Sequence, residues 1–219
     1  MKDAVFLSHP LSNETPLYGG AEDIEIKSAS SIKSGDTANT LLLSFPNHAS
    51  THLDTPYHFF NYGKKLTDYD ASSWIYNNPV CIDVPCDDGY LVTYDDVNDK
   101  MNIDIDLLLI RTGYEKYRNE QKYWQQNPGL SANLAQELRN KYPNIRAVGI
   151  DVISITSRMH REEGRKVHRE FLGSHFTSKP IVLIEDMSLF NYTDNISKVI
   201  VLPLMIKDGD GAPCSVIAF

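Results

Sequence analysis

The chain has 219 residues, 42% hydrophobic, 10% aromatic and 23% charged, with 21 Lys and Arg against 29 Asp and Glu for a formal charge of -8. This length and mix predict one globular domain over residues 1–219 that buries its own core without disulfide help. An acidic chain with no basic run argues against nucleic acid as a partner, because phosphate binding needs clustered Lys and Arg. No stretch approaches the roughly 20 apolar residues of a membrane span, and the start has no apolar run of signal-peptide length; a cytoplasmic location is the expectation.

In chain order, strands are predicted at Thr40–Phe45 (TLLLSF), Val80–Val84, Asp106–Thr112 (DLLLIRT), Arg146–Val152, Ile181–Asp186 (IVLIED), Val199–Ile206 and Cys214–Phe219. Most lack strict alternation of apolar and polar residues, which predicts burial on both faces. The aromatic stretch Gly113–Gly129 has no clear core face and reads as an exposed helix or a partner arm. Ser131–Tyr142 (SANLAQELRNKY) is a helix in which Ser131 is the candidate N-cap, Leu134 and Leu138 share a face, and Pro143 stops it. A further helix is predicted over Gly164–Ser174, where Val167, Phe171 and Leu172 recur at helical spacing. Helices alternating with buried strands predict an α/β fold, a mixed sheet with flanking helices. Cys81, Cys86 and Cys214 have no C-x-x-C spacing and suggest neither a disulfide framework nor a zinc–thiolate site.

Three of the seven histidines lie in NHASTHLDTPYHFF, residues 47–60, with a single acid. His and Asp are the usual donors for zinc and manganese-like ions. At about 100° per residue, a helix would turn Asp54 away from His52. On a straight strand at about 3.3 Å per residue, His48 and His52 would stand roughly 13 Å apart. Pro46 and Pro56 bracket the segment, and no helical apolar stripe runs through it, so a bent, extended loop is predicted that can gather His48, His52 and Asp54. His58, beyond Pro56, is placed beside such a site as an acid/base candidate. One short segment rarely supplies a whole catalytic ion site, so His160, His168, His175, Asp151 and Glu185 are candidate further donors. Glu185 ends an apolar strand, where a buried carboxylate is costly without a cation. Tyr57, Phe59, Phe60, Tyr62 and Trp74 are candidates either for an aromatic-accepting pocket or for ordinary core packing.

The stretch HASTHLDTPYHF resembles the H-x-G-T-H-x-D-x-P-x-H-F signature of the cyclase-like metal-dependent hydrolases, the family of bacterial kynurenine formamidase and isatin hydrolase. LLLIRTGYEKY, AVGIDVISI, VHREFLG, IVLIEDM and VIVLPLMIKDGDGAPCSVIAF follow in the family's order and carry the resemblance over most of the chain. The resemblance implies a swivelling β/β/α domain, a homodimer or larger assembly, and one or two divalent ions, zinc or manganese. It implies His48, His52 and Asp54 as metal ligands, His168 and Glu185 completing a second position with Asp54 bridging, and His58 as acid/base. The implied reaction is hydrolysis of an amide-type C–N bond in a small, aromatic substrate of the N-formylkynurenine type. Cyclic amide or lactone hydrolysis is the near alternative, and a non-enzymatic metal-binding scaffold the distant one. Two departures stand out: Ser50 occupies the family's glycine position, and SHFTSK lengthens the interval from His168 to Glu185, so that His160 or His175 competes with His168.

Overall fold

The computed structural model describes residues 4–21, 23–174, 178–190 and 196–219. Among these residues the strands are β1 (Val5–Phe6), β2 (Glu25–Ser30), β3 (Thr40–Ser44), β4 (His52–Asp54), β5 (Ile75–Tyr76), β6 (Pro79–Asp83), β7 (Leu91–Val92), β8 (Leu107–Arg111), β9 (Gly129–Leu130), β10 (Ala147–Ile150), β11 (Val182–Glu185), β12 (Val199–Pro203) and β13 (Gly211–Ala218). The helices are α1 (Lys122–Gln125), α2 (Ala132–Lys141) and α3 (Arg161–Leu172). A mixed sheet runs in the order β5-β12-β13-β4-β11-β10-β8-β6, with β1 paired onto β13. Its β6, β8, β10 and β11 are parallel, whereas β4, β13, β12 and β5 join antiparallel. The α/β class read from the sequence is the architecture observed.

The parallel strands are apolar without alternation because both of their faces are covered. In β8, Leu108 and Ile110 pack with Leu134 and Leu138 of α2 and Val167 and Phe171 of α3. Leu107 and Leu109 face the other way, against Leu53, Val201, Val216 and Trp74. Helix α2 begins as expected, the Ser131 hydroxyl accepting the Leu134 N–H at 3.2 Å, a cap worth about 1 kcal/mol. Helix α3 starts at Arg161, earlier than the predicted Gly164.

Two expectations fail. TLLLSF does not enter the main sheet: β3 pairs only with β2, antiparallel, and every residue of β3 is exposed. Apolar composition cannot distinguish a buried strand from an arm. The Gly113–Gly129 stretch is not an exposed helix either. It is a turn and a short helix whose Tyr114 and Tyr123 are buried, the Tyr123 hydroxyl donating to Asp186 at 2.6 Å. Arg118 donates to the same carboxylate at 2.7 Å. Among the described residues no helix is long and apolar enough to cross a membrane.

Candidate active site

Strand β4 sets the site. It lies between β11 and β13, with His52 opposite Glu185 and Asp54 opposite Gly211. Alternation sends the fully buried Leu53 into the core and turns His52 and Asp54 together to the opposite face. His48 reaches them because the chain doubles back at Ser50, whose φ is 57°. Serine thus holds the left-handed conformation that the family's glycine adopts freely, at a cost of roughly 1–2 kcal/mol. The return brings His48 Nδ1 to 2.8 Å from Asp54 Oδ1. It also requires Gly211: a Cβ there would lie 2.7 Å from His48 Cε1 and collide with the Leu53 carbonyl oxygen. Pro56 then opens a single 3-10 turn, Pro56–His58, which sets the His58 ring 4.2 Å from that of His48.

The innermost donors are His52, Asp54, His168 and Glu185, all buried. His52 Nδ1 donates to the Ser50 carbonyl at 2.8 Å, and His168 Nδ1 to the Gly164 carbonyl at 2.8 Å. Because a carbonyl only accepts, both rings turn Nε2 inward. His52 Nε2 stands 3.3 Å from Glu185 and 3.6 Å from Asp54; His168 Nε2 stands 3.5 Å from Glu185 and 3.8 Å from Asp54. Glu185 is further fixed by the Ile155 N–H at 2.8 Å and the Ser154 hydroxyl at 3.2 Å.

A second focus lies nearer the surface, at Asp210. One of its oxygens receives His48 Nε2 at 2.9 Å and His58 Nδ1 at 2.7 Å. The other accepts the Asn47 amide at 2.7 Å. The hydrogen bonds from His48 and His58 hold the Asp210 carboxyl well below the usual carboxylate range. Burial disfavours a charged His48, but Asp210 and Asp54 outweigh it and push the imidazole up to about 10. Burial likewise opposes ionisation of Glu185, yet hydrogen bonds from His168 and His52 hold its carboxyl below the ordinary range. His52 and His168 are raised in turn, against burial, by Glu185.

This donor set fits a divalent cation. Two buried carboxylates face two imidazole nitrogens whose tautomers are fixed from behind, the outer-shell arrangement that orients metal ligands. Either protons or a cation must lie among them, since lone pairs would otherwise confront lone pairs. Two trios come within ligand reach, His52–Asp54–Glu185 and His48–Asp54–His58, and Asp54 belongs to both.

The cavity of about 290 Å³ around these groups is lined by Tyr18, His48, His52, Asp54, His58, Phe59, Ile153, Ser154, Thr156, His168 and Glu185. All six predicted polar residues therefore meet in one place. Of the predicted aromatics only Phe59 joins them, stacked on His168 with ring centroids 4.7 Å apart. Trp74 lies in the core, Tyr62 is exposed, Tyr57 stacks under Lys65, and Phe60 lines a separate hollow beside α3. The pocket reading is corrected for these four: the turn at Pro56 aims Phe59 inward and carries Tyr57, Phe60 and Tyr62 away, and Trp74 takes the core-packing alternative. Asp151 binds the Thr112 and Gly113 N–H groups elsewhere, His160 is exposed at the start of α3, and His175 lies outside the described residues. The thiols take no part; burial pushes Cys81 up to about 11 and Cys86 to about 12. Sequence reasoning missed Asp210 and Tyr18. An acid between two glycines just before a strand was the one available signal for Asp210; Tyr18 offered none.

An α/β protein with a cation-ready cluster of imidazoles and carboxylates on one sheet face is thus defined. Residues 5–157 match the family described as "Putative cyclase", and the chain belongs to that family. It is similar to the kynurenine formamidases of Bacillus cytotoxicus and Bacillus anthracis, each 29% identical over 209 residues, covering 94% of this chain and 92% of the relative. Among solved structures, isatin hydrolase A from Labrenzia aggregata, bound to benzyl benzoate, superposes with a TM-score of 0.82 at 20% identity, covering 99% of this chain and 93% of that one. An isatin hydrolase bound to the product analogue thioisatinate gives 0.78 at 17% identity, with 99% and 91% covered. These two likenesses are of fold.

Proposed function

We propose that the chain is a metal-dependent hydrolase of amide-type C–N bonds, acting on a small aromatic N-formyl amide of the formylkynurenine type. The observation that carries this reading is the pairing of two foci: a buried set of inward-facing donors at His52, Asp54, His168 and Glu185, and beside it a histidine, His58, oriented by a carboxylate. His48, His52, Asp54, His168 and Glu185 are the proposed metal ligands, Asp54 being shared where two ions bind. These residues would hold a divalent ion, zinc or manganese, which when bound would supply Lewis-acid polarisation of the scissile carbonyl and a lowered pKa for water. His58 donates Nδ1–H to Asp210, which leaves Nε2 to take a proton from the attacking water and pass it to the departing amine nitrogen. Phe59 and Tyr18 supply apolar walls for a ring, and the cavity admits one small substrate.

The kynurenine formamidase relatives support the formamide, and the isatin hydrolase fold favours a cyclic amide as the second reading. A homo-oligomer is part of the proposal, because Leu41, Leu42 and Leu43 of β3 stand 65%, 53% and 51% exposed on an arm with no further strand partner among the described residues. So is a cytoplasmic location, which rests on the composition. The test is metal analysis of the purified chain followed by assays on N-formyl arylamines, isatin and lactones. Formamide hydrolysis should be lost on chelation and restored by Zn²⁺ or Mn²⁺. Turnover indifferent to thorough metal removal would sink the mechanism.

A further inference from the structure

Positive charge is concentrated beside the cavity of this acidic chain. Arg158, Arg161, Arg165, Lys166 and Arg169 fall within twelve residues. None of the five forms an ion pair among the described residues. Arg161, Arg165, Lys166 and Arg169 are exposed on α3, an ordinary solvated face. Arg158 differs. It is half-buried, and its guanidinium lies over the ring of Tyr18, 5.8 Å from the centroid, where Tyr18 forms part of the cavity wall.

The backbone that presents Arg158 is built rigidly. Its N–H donates to Asn127 Oδ1 at 3.2 Å, and the fully buried Asn127 amide holds the Ser154 and Thr156 carbonyls at 3.1 and 2.8 Å. The same loop delivers the Ile155 N–H to Glu185, so the arginine is tied mechanically to the donor cluster. On its other side the guanidinium lies against the chain at Gly19, where a Cβ would come 3.3 Å from Arg158 Nη1. The Tyr18 hydroxyl is enclosed and, among the described residues, finds no acceptor for its proton; burial pushes its pKa up, against the charges of Arg158 and Arg161 and a hydrogen bond from Arg158. A buried donor without an acceptor is costly unless a ligand supplies one. An arginine outside every ion pair among the described residues and a hydroxyl whose proton lacks an acceptor therefore meet at the Tyr18 wall of the cavity, opposite an interior already occupied by carboxylates.

We infer that Arg158, seated on Tyr18, is a specificity-determining residue that selects substrates carrying a carboxylate on the side chain of their aromatic ring. A planar guanidinium matches a carboxylate with two parallel N–H donors, and Arg158 presents one against Tyr18, a residue of the cavity wall. The inference rests on the amide-hydrolase reading and deepens it, since a neutral cyclic amide would leave Arg158 unused.

The experiment compares wild-type metal-loaded protein with Arg158→Ala, Arg158→Lys and, on the exposed face of α3, Lys166→Ala. Each is assayed on N-formylkynurenine and on its methyl ester, and binding of the deformylated amino acid is titrated by calorimetry. Arg158→Ala should lower the acid-to-ester ratio of kcat/KM by roughly 10- to 100-fold, chiefly through KM, and weaken binding of the deformylated acid by at least about tenfold. Arg158→Lys should recover part of the ratio, and Lys166→Ala should move it by less than about threefold, as expected for an exposed charge. A ratio unchanged in Arg158→Ala, or shifted as much by Lys166→Ala, overturns the inference. If wild type hydrolyses neither compound, the amide-hydrolase reading fails. The titration still decides on Arg158: weaker binding in Arg158→Ala upholds carboxylate recognition, and equal binding overturns it.

Discussion

Asp210→Asn is the sharpest probe of the proposed acid/base. One carboxylate oxygen accepts both His48 Nε2 and His58 Nδ1, at 2.9 and 2.7 Å, while the other accepts the Asn47 amide at 2.7 Å. An asparagine of the same shape cannot reproduce this. With its carbonyl toward the histidines, its NH₂ meets the Asn47 NH₂; reversed, its NH₂ meets two ring nitrogens. Flipping Asn47 to relieve the first arrangement gives up the bond from its amide to the Gly211 carbonyl at 3.1 Å. A hydrogen bond to a charged group is worth about 1.5–3 kcal/mol and a neutral one about 1, so orientation of His58 loses roughly 1–2 kcal/mol. A misplaced outer-shell group costs about 10- to 100-fold. The expected result is kcat for formamide hydrolysis reduced by about 10- to 100-fold, with KM changed less than about threefold and metal content by mass spectrometry preserved. Asp208→Asn serves as the control, since among the described residues Asp208 forms its ion pair with Lys65, at the surface and away from the histidines. Turnover within about threefold of wild type would refute the role given to Asp210, and loss of the metal would show that it acts on the ion instead.

Three further outcomes follow from the geometry. At Ser50, glycine should be more stable than alanine by about 1 kcal/mol in urea unfolding, because both lose the hydroxyl and only alanine retains the left-handed strain; alanine equal to or above glycine contradicts the φ of 57°. Metal affinity should rise with pH by about tenfold per unit for each imidazolium proton displaced. The proton on His48, raised to about 10 against the burial that opposes it, competes with the ion throughout the neutral range, so the gain continues as pH climbs toward that value. Affinity that is flat between about pH 6 and 9 would count against the ligand set. Replacing Leu42 by Lys on the exposed arm should convert a light-scattering dimer to monomer at micromolar concentration with activity per site as the accompanying measurement; a wild type that is already monomeric removes the arm from the argument.

What the sequence could disclose was local. His52 and Asp54 share a face because alternation on a strand demands it, and Ser131 caps α2 because its hydroxyl reaches the Leu134 N–H. Contacts across long separations were hidden. Asp210 meets His48 and His58 only because β13 lies beside β4, and Tyr123 of the Gly113–Gly129 stretch is buried where Asp186, on a distant segment, takes its hydroxyl and the Arg118 guanidinium. The aromatic candidates show the same limit from the other side. Tyr57, Phe60 and Tyr62 are neighbours of His58 in sequence, but one 3-10 turn decides which of them faces the cavity.

The interval between His168 and Glu185, read from the sequence as longer than the family's, leaves both donors at the cavity, for a reason that spacing alone could not reveal. Both ends of the segment between them are tied down. The Ile181 N–H donates to the Phe171 carbonyl at 2.9 Å. The buried Arg139 of α2 donates to the carbonyls of Glu170 and Gly173 on one side, at 2.7 and 2.6 Å, and to that of Ser178 on the other, at 2.7 Å. From there β11 is locked by its neighbours, Val182 against Ala147 of β10 and Glu185 against His52 of β4. A one-residue slip would turn Glu185 into the core and Ile184 into the cavity, at the cost of every apolar contact on that strand. Strand register, and not the count of residues from helix to strand, therefore fixes the distance from His168 to Glu185.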